Sequence, residues 1–215
     1  MRIGEGAERG WVASHVAEEF PGLGIAWIVV EGSRRRSPEA VRLRLRDLSD
    51  RFYGSHAIHM RERPIPWAYR VFFRHIGLDP DETRTPVEQL ALDRLHDGAF
   101  VSKGLPDDAV TLATVETGVA MRAFDAGKTE GGLCIRDSAP GERLPDRQSE
   151  LQQGTLAIAD ERRPLEPLFG GPRSEEHSVD SATRRVLLAA ILVKDVPDAA
   201  VDEALWLAST AIEAA

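Results

Sequence analysis

Eight consecutive apolar residues, Val186 to Val193 (VLLAAILV), place the first constraint on the fold. A run without polar alternation has no side to offer water, so it needs cover all round, as a central strand or as a short buried helix. The cover is visible nearby. Pro197 opens an amphipathic helix whose Val201, Ala204, Leu205, Ala208, Ala211 and Ile212 recur on one stripe. Far upstream, Gly24 to Val30 (GIAWIVV) is a second β-rich apolar run beginning at a glycine.

Between these runs, helix signals dominate. Trp11, Val12, Val16 and Phe20 fall at helical spacing ahead of Pro21-Gly22, which predicts a helix feeding the Gly24–Val30 strand. Ser37-Pro38-Glu39 supplies a cap, a preset first turn and an N-terminal negative charge, with Val41, Leu45, Leu48 and Phe52 on one stripe behind it. Pro66 opens another helix through Trp67, Arg70, Val71 and Arg74, closed by Gly77. Thr85-Pro86-Val87-Glu88 reads as a capping box ahead of a helix ending near Gly98, and Asp107 or Asp108 caps a fourth that ends at Gly118.

From Val119 the period changes. Val119–Phe124, Leu133–Arg136 and Thr155–Ala159 are short apolar runs separated by turn residues, and they read as strands of one sheet. Ser138 to Gly154, rich in Pro, Gly, Asp and Gln, reads as a long loop. The expected architecture is α+β, a single domain over residues 1–215 with a central mixed β-sheet flanked by helices.

Composition narrows the function classes. With 42% apolar and 29% charged residues and no apolar run near the ~20 needed to span a bilayer, a soluble protein is expected. Met1 to Arg9 show no secretory pattern, and Cys134 is the one cysteine, so neither an internal disulfide nor a Cys-based zinc site can form. The expected location is the cytoplasm. A formal net charge of −8 argues against affinity won by wrapping a phosphate backbone. Yet Ser33–Phe52 carries seven arginines against three acids, a local balance of +4, read as a small basic face or as a solvated helix surface.

The run Tyr69-Arg70, Phe73-Arg74, His75-Ile76-Gly77-Leu78-Asp79-Pro80, then Arg84-Thr85-Pro86-Val87-Glu88-Gln89-Leu90 and Arg94, resembles the signature of the amino-acid-editing (B3/B4) domain of the phenylalanyl-tRNA synthetase beta subunit. The likeness continues in order through Phe124-Asp125, Lys128-Thr129-Glu130-Gly131, Ile135-Arg136, Gly141-Glu142, Ser174-Glu175, Thr183 and Val186-Leu187-Leu188, and is clearest over residues 22–195. It implies a mixed α/β domain with an amino-acid-sized pocket. In the synthetase that pocket hydrolyses the ester of a wrongly attached amino acid, chiefly tyrosine, with no metal or organic cofactor. The aminoacylating and anticodon-reading parts are absent from this sequence, so the resemblance implies a free-standing deacylase of misacylated tRNA, acting on the acceptor end. The alternative is a binding protein or hydrolase for an amino acid or its conjugate that does not use tRNA. The oligomeric state stays open.

Hydrolysis of an aminoacyl ester needs an oriented water and donors for the developing oxyanion, and the activated ester removes the need for a strong nucleophile. The resemblance implies that Glu175, after Gly170-Gly171, supplies a pocket carboxylate able to read a phenolic hydroxyl. His56 and His59 are candidates for orienting water or holding the tRNA end, or are ordinary histidines; with no third ligand in view, a metal is not expected. Arg70 and Arg74, four apart on one helix face, either clamp an acidic or phosphate-bearing ligand or pair with neighbouring acids. Thr111 stands where free-standing relatives more often show asparagine. With Ser174 it joins the candidate substrate contacts, as do Glu130 and Gly131, whose turn lies beside a ligand or merely closes a hairpin.

Overall fold

A computed structural model describes residues 6–52, 54–171 and 174–214, with the side chains of 56–58 left aside. The apolar run near the C terminus is β8 (Arg185–Leu192), and every residue from Val186 to Leu192 is buried. Its neighbours are β3 (Gly24–Glu31) on one side and β4 (Ala120–Asp125) on the other, with β1 (Glu8–Arg9) beyond β3, all antiparallel. The ladder runs unbroken from Gly24↔Leu192 to Glu31↔Arg185. A strand buried along its whole length must be covered on both faces. Helix α7 (Asp198–Glu213) lies against β3 and β8, and α6 (Asp107–Thr117) lies against α7 and β4. The architecture is α+β.

A second four-stranded sheet, β2-β5-β6-β7, meets the first where β2 and β5 touch β3. It contains β2 (Trp11–Val12), β5 (Cys134–Asp137), β6 (Leu156–Ala159) and β7 (Pro164–Pro167), with β2 parallel to β5 and the other pairs antiparallel. This corrects two expectations. The strands after Val119 do not share a sheet: β4 pairs with β8, whereas β5 and β6 belong to the second sheet. Strand patterns are local, but the choice of partner is a long-range matter that alternation does not encode. Trp11 and Val12 are not helical either, because their backbones pair with Cys134 and Ile135, and the helix α1 (Ser14–Glu19) starts only beyond them. Gly10 permits this crossing between sheets: a Cβ there would lie 2.2 Å from the Leu133 carbonyl oxygen.

The remaining helices lie where their local signals put them, with two differences. Helix α2 is Glu39–Arg51, α3 is Gly54–Met60, α4 is Pro64–His75 and α5 is Pro86–Asp97. Ser37 does not cap α2, its hydroxyl donating to Asp108 instead, and α4 opens at Pro64, two residues before Pro66. The Thr85/Glu88 capping box forms, and Gly98 ends α5 at φ +78°, a left-handed conformation that residues with a Cβ resist. Helix α3, β1 and β7 carry no signal strong enough to have been expected. Asp108 does not cap its helix: its buried carboxylate accepts from Ser37 Oγ at 2.6 Å, from Ser102 Oγ and from the Lys103 N–H at 2.7 Å. It thus ties three segments together. Residues 138–154 contain no strand or helix and are held by the Arg136–Glu142 and Arg143–Glu150 ion pairs.

Candidate functional site

The Tyr69-to-Glu88 stretch builds a wall. Tyr69 donates to the Ile191 carbonyl at 2.5 Å and accepts from the Ala120 N–H at 3.0 Å, pinning α4 to β8 and β4. Burial holds its phenol protonated, pushing its pKa up. Phe73 packs on Phe169 with ring centroids 4.7 Å apart, and Tyr69 and Phe72 meet the same ring edge-on. These aromatics fix the 168–171 turn, where Gly170 at φ +67° passes so close to Leu78 that a Cβ would come within 2.8 Å of it.

Behind that turn lies a cavity of about 330 Å³, with Phe73, Leu90, Thr111, Thr114, Arg122 and Phe169 on its walls. A smaller space of about 120 Å³ adjoins it, sharing Val110, Met121 and Arg122 and reaching Arg34, Glu166 and Ser174. The two together form a groove between β4, α6, residues 166–171 and Ser174. At their junction Arg122 Nε donates to Glu166 Oε1 at 2.6 Å, a pair whose side chains are both almost fully buried. A wider cleft of about 630 Å³ lies on the far side of Phe169-Gly170, where His15 and Asp137 are 2.8 Å apart.

The lining of the groove carries both signs of charge, Arg34, Arg84 and Lys103 beside Asp93 and Asp107. An isolated antiparallel bridge, Arg35↔Leu105, lays the Arg34–Arg36 segment beside Lys103. Arg34 pairs with Asp107 at 3.4 Å, while Arg35, Arg36 and Lys103 are exposed. Asp93, which accepts from Gln89, supplies an acid on the wall of the larger cavity.

Of the residues proposed from sequence, Thr111 and Ser174 come together at this groove. The others are placed elsewhere. Arg70 is buried away from the groove, paired with Glu88 at 2.6 Å and Asp81 at 2.7 Å, so of the two readings left open for it the internal pair is the one observed. Arg70 draws the Asp81 carboxyl below its usual range. Arg74 is exposed and lies over the Trp67 ring, 5.7 Å from its centroid. Glu130 pairs with Arg162 at a turn in which Gly131 sits at φ +72°, a left-handed conformation that residues with a Cβ resist. Glu175 is exposed, its N–H donating to Asp146 at 2.8 Å. His59 is exposed on α3 beside Glu62. The side chain of His56, also on α3, lies outside the described residues.

Arg122 and Glu166 escaped the sequence reading. The signal existed: an arginine in the middle of the otherwise apolar stretch Ala120–Phe124 must be paired or functional if it is buried. Asp125, Lys128 and Thr183, which carry part of the family likeness, form a separate network. Thr183 Oγ1 donates to Asp125 at 2.6 Å, and Lys128, bonded to Asp180 at 2.8 Å, lowers the Asp180 pKa to about 2.

Comparison with known proteins agrees with this construction. The chain is 37% identical over 86 residues to the phenylalanine–tRNA ligase beta subunit of Vibrio vulnificus, covering 38% of this chain and 10% of that protein. It is 38% identical over 87 residues to the Yersinia pestis subunit, covering 38% and 10%. With the Nitrosococcus oceani subunit the figures are 32% over 115 residues, 52% of this chain and 14% of the relative. The chain therefore spans a small fraction of the length of these relatives. The B3/4 domain family matches residues 68–210, from the wall of α4 through Arg122, the 164–171 turn and β8 into α7, and the chain belongs to that family.

Proposed function

We propose that this chain hydrolyses the ester of misacylated tRNA in trans. The observation that carries the reading is the groove, whose larger cavity of about 330 Å³ has room for one aminoacyl group and whose lining includes Arg34 and Lys103. These cations suit the phosphates of an acceptor end, whose attraction to Lys and Arg is electrostatic and independent of sequence. Within the groove, Thr111 offers a hydroxyl to orient a water toward the ester carbonyl. Phe73, Leu90 and Phe169 give the groove an apolar side that screens part of it from bulk solvent and strengthens polar contacts there. Glu175, His56 and His59 are not needed for this step; the ester is already activated.

A second reading keeps the cavity and drops the nucleic acid. Asp93 on the cavity wall suits the ammonium of a free amino acid or conjugate, and the net charge of −8 opposes binding to a polyanion.

One experiment separates the two. Purified protein is incubated with tyrosyl-tRNA and a panel of other misacylated tRNAs, and release of the amino acid is followed against the spontaneous rate. Release that weakens steeply with added salt supports the tRNA reading. No release from any of them, with salt-insensitive binding of a small amino acid derivative, replaces it with the second.

A further inference from the structure

Helix α2 and the segment before it leave most of their arginines without a counter-ion. Arg34 pairs with Asp107 and Arg51 with Glu116, whereas Arg35, Arg36, Arg42, Arg44 and Arg46 hold no acid among the described residues. In the later strands and loops the pattern is reversed: Arg122, Arg136, Arg143, Arg162 and Arg163 each sit against a carboxylate. Glu39, Asp47 and Asp50 share α2 and are exposed, but among the described residues none of them bonds an arginine side chain there, and the balance of the stretch stays positive in a chain of net charge −8.

The fold leads this charge to the groove. Helices α2 and α6 run side by side in the same direction, because Ser37 bonds Asp108 where both begin and Arg51 bonds Glu116 where both end. Residues 100–103 run back along α2, from Ser49, whose hydroxyl accepts the Phe100 N–H at 2.8 Å, to Asp108, which takes Ser102 and the Lys103 N–H. Arg42, Arg46 and Ser49 fall at helical spacing on one flank, so that flank borders the segment delivering Lys103 to the larger cavity. A rise of 1.5 Å per residue sets Arg42 and Arg46 about 6 Å apart along the helix. The apolar stripe of α2, Val41, Leu45 and Leu48, is buried in the core, which leaves no hydrophobic stripe to enter a lipid surface.

Resting on the reading that this chain acts on tRNA, we propose that α2 and the 34–36 segment form a docking face for the phosphate backbone of a double-stranded RNA stem, whose single-stranded end then reaches the groove past Lys103. A row of guanidinium forks on a rigid helix fits phosphates, each fork able to donate two parallel bonds. The deep, narrow major groove of an RNA duplex keeps such side chains from its bases, so the face grips the stem without reading its sequence. This face lies outside residues 68–210, the part matched by the B3/4 family.

The test uses the full chain and an unacylated RNA hairpin with the stem and single-stranded 3′ end of a tRNA acceptor arm, titrated over a range of salt. Engagement of Arg35, Arg36, Arg42, Arg46 and Lys103 should give a slope of log affinity against log salt of about −3.5 to −4.5. In R35Q/R36Q/R46Q, three exposed positions, the slope should shrink by roughly 2 to 3 and low-salt affinity should fall roughly 10- to 100-fold. Its circular dichroism spectrum and urea midpoint should match wild type. R35K/R36K/R46K, which keeps the charge, should retain most of the binding. R9Q/R143Q/R162Q removes the same charge from exposed arginines that each face an acid on other parts of the surface, and it should bind as wild type does.

No binding of the hairpin, an equal loss in R9Q/R143Q/R162Q, or tighter binding of the 3′ end alone as a single strand would each overturn the inference. Capture by phosphatidylserine vesicles but not by the hairpin would give the face to a membrane instead. The two proposals fail separately. Release of amino acid from misacylated tRNA that is unchanged in R35Q/R36Q/R46Q at low salt removes the docking face and leaves the function. Hairpin binding lost in that variant, with no release from any misacylated tRNA, does the reverse.

Discussion

Arg70 and Arg122 are both buried, both held in ion pairs at 2.6 Å, and yet they serve different ends. Arg70 on α4 faces two acids, Asp81 and Glu88, and a third contact goes to the Pro80 carbonyl. Glu88 in turn bonds Thr85, so the guanidinium locks the 80–88 segment that carries α5. Arg122 on β4 has one acid and one carbonyl, and its remaining edge lies along a cavity. The role of a buried arginine follows from where its unused donors lie: among the described residues Arg70 Nε has no partner but is sealed in the interior, while Arg122 lines a cavity. Arg70 is a structural rivet, whereas Arg122 keeps a hand open.

The sharpest way to break this contrast is Arg70→Met. It leaves Glu88 buried and unpaired, and removal of one partner from a buried pair costs about 3–5 kcal/mol. Urea unfolding should show most of that loss. A cost under about 1 kcal/mol would mean that the pair is not what holds α5 to α4. On the groove side the expected effect is on rate. Thr111→Val keeps the shape of a half-buried side chain and removes its hydroxyl. Release of amino acid from misacylated tRNA should fall roughly 10- to 100-fold, equivalent to about 1.4–2.7 kcal/mol in the barrier, with the urea midpoint unchanged. An unchanged rate would remove Thr111 from the chemistry.

The contrast also explains what could be read from the sequence. Capping at Thr85/Glu88, the stop at Gly98, the Gly24–Val30 strand and the central position of Val186–Val193 are written in adjacent residues, and they appear as expected. Where a partner lies far along the chain, the reading branched or failed. Arg70 kept two interpretations because Asp81 and Glu88 sit 11 and 18 residues away, and only the fold shows that they converge on it. Arg122 and Glu166 are 44 residues apart and on strands of different sheets, so nothing local announced them as a pair. At Ser174-Glu175 the two neighbours part: Ser174 turns into the groove and Glu175 out to solvent, a distinction that rests on the conformation of one turn.

Acidity offers a milder probe of the groove side. His177, three residues beyond Ser174, is 1% exposed, and among the described residues neither ring nitrogen has a hydrogen-bond partner. Burial, reinforced by the Arg163 charge, pushes its pKa below the ordinary 6.5. The unfolded chain therefore takes up a proton at a higher pH than the folded one, and stability from this residue is lost as pH falls below about 6.5. The urea midpoint should decline on acidification from about pH 7 to 5, and His177→Leu should flatten that slope. An identical slope in the variant would assign the decline to other groups.

The smallest effect belongs to Arg74, the helical neighbour of Arg70 and, in sequence alone, its equal as a ligand clamp. One turn along α4 it leaves the interior, and its exposed guanidinium rests over Trp67, itself about half exposed. A cation–π contact in such a setting is worth about 0.5–1 kcal/mol. Arg74→Ala should cost no more than that, and amino acid release should match wild type at both low and high salt. A loss of release confined to low salt would show that the acceptor end reaches across α4 to Arg74. The boundary drawn here would then move, because the open arginines would extend from the groove rim around to the helix that the buried one holds in place.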